Sequence, residues 1–223
     1  MFKDNKEDIY RERLKYSNIS LMSNKLRIGI IGFGKAGLIK ANHFYKQGAE
    51  IFVLTKEYNK DIISKFHNNI DVKIGEYNKE FILNKHIIII AIDDDEVIKN
   101  IRNDCEEYSK IYIDSSDFTQ GMGVVPVQRE SENIVLSINS KVGNPRGAVF
   151  VSEKIKGYLE EYDEFIEFTA EIRKKVKSKI EIKDEVLNFI YSEDFFYLFN
   201  KKKGKEVIRL FYGEEIVWGE KWI

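Results

Sequence analysis

Cysteine and proline are nearly missing from this chain. Its single cysteine, Cys105, can form neither an internal disulfide nor a thiolate metal cage, which excludes a disulfide-stapled secreted scaffold and points to a reducing compartment. The two prolines, Pro126 and Pro145, both lie mid-chain. Histidine is scarce too: His43, His67 and His86 are widely spaced and form no metal-ligand pattern. No sign of charge dominates. Lys+Arg 36 against Asp+Glu 37 leaves a net charge of -1, which argues against a dedicated nucleic-acid binder. Long apolar runs are absent as well. The longest, Ile87 to Ile92, falls far below the roughly 20 residues needed to cross a bilayer. The first 24 residues carry charges of both signs and no apolar signal core, so the expected compartment is the cytoplasm and no membrane partner is expected. What remains is an ordinary globular composition. At 223 residues, 43% hydrophobic and 33% charged, the chain suits one or two domains of about 150 residues each.

Three zones differ in texture. In the first, Ile28 to Ile31 is short, continuous and β-branched, as suits a central parallel strand covered on both faces. Lys35 to Gln47 has a modest helical pattern that Gly48 ends. Further strands are expected at Ile51–Leu54, Val72–Ile74, Ile87–Ile92 and Ile111–Ile113, with a helix from Val97 to Tyr108. Cys105 falls within that helix and is expected to be packed rather than reactive. Strands alternating with helices predict a right-handed, doubly wound parallel sheet. The second zone, Ser115 to about Phe150, gathers Gly121, Gly123, Gly143, Gly147 and both prolines around a weak strand at Ile134–Ile138, and reads as connecting loops. From Val151 on, Ile155, Tyr158/Leu159, Tyr162, Phe165/Ile166, Thr169, Ile172 and Val176 recur at three-to-four spacing. They predict one apolar stripe on a helix, followed by an aromatic-rich helical region.

Gly32-Phe33-Gly34-Lys35-Ala36-Gly37 is G-x-G-x-x-G, set after an apolar strand and opening a helix. In that context the first glycine permits a tight turn. The second lets the backbone approach a pyrophosphate, and the third lets helix pack on strand. Helix-initial N–H groups then face the phosphates, where the helix dipole favours negative charge. The acid that usually holds the ribose is absent from the end of the second strand. Thr55 or Glu57 could hold a 2′-hydroxyl there, whereas Lys56 could favour a 2′-phosphate, so NAD and NADP both stay open. Asp93-Asp94-Asp95 reads as a helix N-terminus, where acids are favoured, rather than as a metal site.

These residues carry a resemblance. GFGKAGLIKA with Lys40, AIDDDEV at Ala91–Val97, DSSDF at Asp114–Phe118, Pro126, NSKVGNPRGA at Asn139–Ala148 and the following EKIKGYLEEY together resemble the precorrin-2 dehydrogenase / sirohydrochlorin ferrochelatase family, the NAD-dependent part of sirohaem synthase. The resemblance implies a Rossmann-type NAD-binding domain over 1–114, a central dimerisation region over 115–150 and a C-terminal helical domain over 151–223. It also implies a homodimer that oxidises precorrin-2 to sirohydrochlorin with NAD as hydride acceptor. The catalytic aspartate of the family falls on Asp117, a carboxylate suited to the proton loss that accompanies hydride loss; read as a residue type alone, Asp117 is a turn former. Cofactor contacts carry over to Lys35 and Ala36 within Gly32–Gly37, to Lys56 and Glu57 after the second strand, and to Ala91, Ile92 and Asp93.

Ferrochelatase activity, which some members add, is the alternative for the same fold, and a non-catalytic NAD-sensing module is another. The chain departs from the family's usual residues at Ile92, Ile98, Asn144 and Val149, which weighs against chelation more than against dehydrogenation. Cations for the carboxylates of the tetrapyrrole would come from Lys141 and Arg146 beside Asn144, or from Arg173-Lys174-Lys175-Val176-Lys177, a run that also reads as a solvated helix face. The methyltransferase that supplies precorrin-2 is expected to be a separate protein.

Overall fold

The computed structural model describes residues 13–57 and 70–217; His67 lies outside them. It divides into two compact units, Ser17–Val125 on one hand and Pro126 onward together with the residues through Tyr16 on the other. Leu14 N–H, in the second unit, donates to the Lys141 carbonyl at 2.9 Å.

The first unit is built on β1 (Arg27–Ile31), α1 (Lys35–Lys46), β2 (Glu50–Thr55), β3 (Ile70–Ile74), α2 (Glu80–Leu83), β4 (Ile87–Ile90), α3 (Asp95–Glu107) and β5 (Ile111–Asp114). The five strands form one parallel sheet in the order β3-β2-β1-β4-β5. All four isoleucines of β4 are buried, as a central strand covered on both faces requires. Their alternation sorts the core. Ile87 and Ile89 join Ile28, Ile30, Ile51 and Val53 on the face packed by Ala41 and Phe44 of α1. Ile88 and Ile90 join Ile31 and Leu54 on the other face, packed by Ile82 of α2 and by Ile98, Ile101 and Cys105 of α3. Helices on both faces make the sheet doubly wound, as the alternation of elements predicts. Cys105 is fully buried, and burial foremost pushes its thiol up to about 12.

The second unit opens with an antiparallel hairpin of β6 (Val127–Glu130) and β7 (Val135–Ile138). Then come the 32-residue α4 (Pro145–Val176), α5 (Ile180–Ile190), α6 (Glu193–Asn200), α7 (Gly204–Tyr212) and the short α8 (Glu214–Val217). Asp163 of α4 fastens the hairpin tip: its carboxylate accepts from the Ser131 hydroxyl at 2.7 Å and from the N–H groups of Asn133 and Glu132 at 2.9 and 3.2 Å. Arg129 of β6 adds an ion pair to Glu153 of α4. The helical core joins Phe165, Phe168, Ile172 and Val176 of α4 to Val186 and Ile190 of α5, Phe195 of α6, Ile208 of α7 and Ile216 of α8.

Three expectations shift. The unit boundary falls at 125/126 rather than at 114/115, because the loop after β5 returns to its own sheet, where Gly123 N–H donates to the Tyr112 carbonyl. No break occurs at 150/151: α4 begins at Pro145, with proline at the first helical position and Asn144 as N-cap, its Oδ1 accepting from Gly147 N–H at 2.8 Å. Finally, the apolar stripe of α4 is core only in its second half. Tyr158 is 63% exposed, and Tyr162 and Ile166 are exposed too, whereas Thr169, Ile172 and Val176 are buried.

Candidate active site

The strand order reverses beside β1: the chain winds from β1 through β2 to β3 on one side, and the crossover from β3 then places β4 and β5 on the other. The carboxyl ends of β1 and β4 therefore border the crevice where open parallel sheets bind ligands. Gly32 turns the chain there at φ +94°, a region L side chains rarely adopt; a Cβ would meet the Ala91 carbonyl oxygen at 2.3 Å. A Cβ on Gly37 would meet the Gly32 carbonyl oxygen at 2.2 Å, so only glycine lets α1 close on the turn. Gly34 differs. It is the N-cap of α1 with ordinary backbone at φ -72°, it offers no side-chain cap, and a Cβ on it would meet nothing within 4 Å. No N-cap side chain occupies the first N–H groups of α1, and Gly34, Lys35 and Ala36 are exposed, whereas Gly37 is buried. Two glycines that nothing else can replace and one beside an empty approach are what a pyrophosphate cradle requires, and the turn fits a dinucleotide. Phe33 between them packs back on the core.

The structure brings Ala91, Ile92 and Asp93 to this turn. Ala91 N–H donates to the Ile31 carbonyl at 2.8 Å, Ile92 packs against the core of its face, and Asp93 is exposed. Asp94, the N-cap of α3, accepts from Val97 N–H at 3.1 Å, so the acidic triplet opens a helix as expected. No metal-holding group of His, Cys, Asp and Glu occurs among the described residues.

At the end of β2 the Thr55 hydroxyl is engaged locally, donating to the Glu57 carbonyl at 3.1 Å. Lys56 lies 3.4 Å from Glu76 with both side chains well exposed, and the Glu57 side chain is exposed.

The loop after β5 carries Asp117. It is exposed and caps the short 3-10 turn Phe118–Gln120, its Oδ1 accepting from Thr119 N–H at 3.0 Å and from the Thr119 hydroxyl at 2.6 Å. Its own N–H donates to Asp114 at 3.0 Å. Asp114, by contrast, is 1% exposed. Burial pushes its carboxyl up, but hydrogen bonds from Ser116, Asp117 N–H and Arg102 together hold it below the usual range. Beside it the Ser115 hydroxyl is buried without a hydrogen-bond partner among the described residues.

Asp114 and Arg102 are the residues that reading the sequence for site chemistry missed. A signal existed: Arg102 stands four residues after Ile98 and three before Cys105, on the stripe of α3 that faces the sheet.

In the second unit Lys141, Asn144 and Arg146 lie together, exposed, where the chain enters α4. The Asn144 side chain is occupied by capping. Arg173, Lys174 and Lys177 are exposed at the C-terminal end of α4, where cations suit the helix dipole.

Residues 19–126 match the sequence model of the family described as putative NAD(P)-binding, called NAD_binding_7. Among curated proteins, the putative precorrin-2 dehydrogenase of Methanocaldococcus jannaschii is 24% identical over 180 residues, 76% of this chain and 87% of that protein. Among solved structures, SirC, a precorrin-2 dehydrogenase, superposes with a TM-score of 0.66 at 21% identity, over 87% of this chain and 98% of that one. These likenesses agree with the resemblance read from the motifs, and the Rossmann-type fold with its C-terminal helices is borne out. Residues 19–126 form an NAD(P)-binding domain, in a chain whose sequence and fold both resemble those of the precorrin-2 dehydrogenases.

Proposed function

We propose that the protein is an NAD-dependent precorrin-2 dehydrogenase, a soluble enzyme of the cytoplasm that produces sirohydrochlorin. The observation that carries the reading is the conjunction, in one unit, of the dinucleotide turn at Gly32–Gly37, the end of β4 at Ala91–Asp93 and the aspartate-bearing loop after the adjacent β5. Bound NAD supplies the hydride acceptor. The N–H groups of Lys35 and Ala36 bind the pyrophosphate, and Gly34 leaves its path clear. Oxidation removes a hydride and a proton from precorrin-2, so the products are sirohydrochlorin, NADH and one proton. Asp117 takes that proton on Oδ2, the carboxylate oxygen that accepts no hydrogen bond among the described residues.

Lys141 and Arg146 are assigned to the carboxylates at the substrate periphery, the arginine by a forked pair of bonds. The protein acts as a homodimer, and the exposed apolar side chains of the first half of α4 support this: Phe150, Val151 and Tyr158 are 65%, 45% and 63% exposed. The test is an anaerobic assay of precorrin-2 with NAD and, separately, with NADP, followed by sirohydrochlorin absorbance. Turnover with NAD that is lost in Asp117→Ala while NAD still binds supports the assignment. Wild-type turnover in that variant refutes the role of Asp117.

A further inference from the structure

Asp114 divides its carboxylate between two sets of donors. Oδ2 takes both the Nε and the Nη2 of Arg102, at 2.8 and 2.5 Å. Oδ1 takes the Ser116 N–H at 2.8 Å, the Ser116 hydroxyl at 2.6 Å and the Asp117 N–H at 3.0 Å. The side chain of Asp114 is fully buried, and that of Arg102 is 24% exposed. Asp114 is also the last residue of β5, in register with Ile90, and Ser115 N–H donates to the Ile90 carbonyl at 2.9 Å. One oxygen is thus fixed to α3 and the other to the loop, while the main chain is fixed to β4.

We propose that Asp114, held by Arg102, is the positioning residue for Asp117: it fixes the backbone of the reactive loop so that the Asp117 carboxylate keeps one orientation through the reaction. Two constraints meet on Asp117. Its N–H is held from behind by Asp114, and its Oδ1 is held from ahead by the Thr119 N–H and hydroxyl. With both in place, Oδ2 is the oxygen left to receive a proton, and it does not need to be oriented in each turnover. A buried carboxylate with four donor groups around it is stiffer than a lone turn-capping side chain on an exposed loop, because every donor would lose its partner if the loop shifted. Arg102 does not act on substrate. It neutralises the buried charge and keeps Oδ1 facing the loop.

The proposal rests on Asp117 being the catalytic residue, and the test separates the two. Turnover of precorrin-2 with NAD is measured for Asp114→Asn, Ser116→Ala, Asp117→Ala and the double variant Asp114→Asn/Asp117→Ala, well below each unfolding midpoint. An asparagine keeps one oxygen and cannot satisfy Arg102 and the loop at once. Its kcat is expected to fall about 100-fold, the scale of a misplacement near 1 Å, with KM for NAD changed less than about threefold, since a uniform loss of binding would instead raise KM. In the Asp117→Ala background the same substitution should lower the residual rate no further. Ser116→Ala changes an exposed side chain and should lower kcat about tenfold, the worth of one hydrogen bond to a charged group; it decides the matter if Asp114→Asn does not fold. A folded Asp114→Asn with wild-type kcat overturns the proposal, as do equal losses with and without Asp117. If Asp117→Ala itself turns over at the wild-type rate, the catalytic reading fails first and the positioning role fails with it.

Discussion

Replacing Gly34 by aspartate should weaken NAD binding while leaving the fold intact, and the structure supplies both halves of that expectation. The backbone at Gly34 is extended, with φ -72° and ψ -164°, which any L residue adopts, and a Cβ built there meets nothing within 4 Å. The position is also the N-cap of α1, which lacks a side-chain cap, and aspartate there is at least as good as glycine, by a few tenths of a kcal/mol. The thermal midpoint should therefore hold or rise slightly. The cost falls on the ligand. A carboxylate about 5 Å from a phosphate charge is repelled by about 3 kcal/mol at an effective dielectric near 20, and by about 1 kcal/mol if water screens it fully. The dissociation constant should then rise between about fivefold and about 150-fold. The loss should shrink as salt is added. Calorimetric titration of NAD, or fluorescence titration of NADH, reads the effect beside a thermal melt. Affinity within twofold of wild type in a folded variant would refute the phosphate turn. Gly32→Ala cannot serve instead: at φ +94°, with the Ala91 oxygen 2.3 Å from the new Cβ, it damages the fold before it tests the ligand.

Two further outcomes follow from packing and burial. Phe195 is fully buried in the helical unit, its ring centroid 5.3, 6.3 and 6.4 Å from those of Phe189, Phe168 and Phe165. Phe195→Ala should destabilise that unit by about 3–5 kcal/mol in urea titration; a loss under about 1 kcal/mol would mean that the cluster is not its core. Cys105 is buried in the other unit, its thiol pushed up to about 12 by burial first and by Asp104 and Glu106 next. A thiol reagent should therefore leave it unmodified in the native protein and modify it on unfolding; rapid native modification at neutral pH would contradict the packing of α3.

The doubly wound sheet was legible because its signals are local. Four consecutive isoleucines in β4, a glycine turn at the end of β1 and an amphipathic helix after each were enough to fix strand, crossover and layer. The middle of the chain was harder to read, for equally physical reasons. Asn-Pro-Arg-Gly looks like a loop by composition, yet asparagine capping, proline at the first helical position and a glycine whose N–H meets the cap together start the longest helix of the described residues. The weak strand at Ile134–Ile138 has a partner that the sequence does not mark, since Val127–Glu130 carries Gln128 and Arg129 where an apolar alternation would mark it. Threefold-to-fourfold spacing along α4 likewise says which residues share a face and not how much of that face is covered. Coverage depends on α5 to α8, which meet only the second half of the helix.

The loop after β5 shows the same limit at the scale of single side chains. Asp114-Ser115-Ser116-Asp117 holds two carboxylates that composition treats alike, yet one is 1% exposed and the other exposed. Strand alternation separates them. Tyr112 and Asp114 point to the same face of β5, and Tyr112 packs in the cluster that includes Ile98, Ile101 and Cys105 of α3. A carboxylate on that face must meet a donor or lose its charge, because an unpaired buried charge costs several kcal/mol. The sheet-facing stripe of α3 offers one cation, Arg102, between Ile98 and Cys105. Period two in β5 and period three-to-four in α3 therefore name the same pair from opposite sides, which neither pattern does alone. Asp117, beyond the strand, escapes that alternation and stays exposed, so a residue type that reads as a turn former is open to the proton-taking role proposed for it.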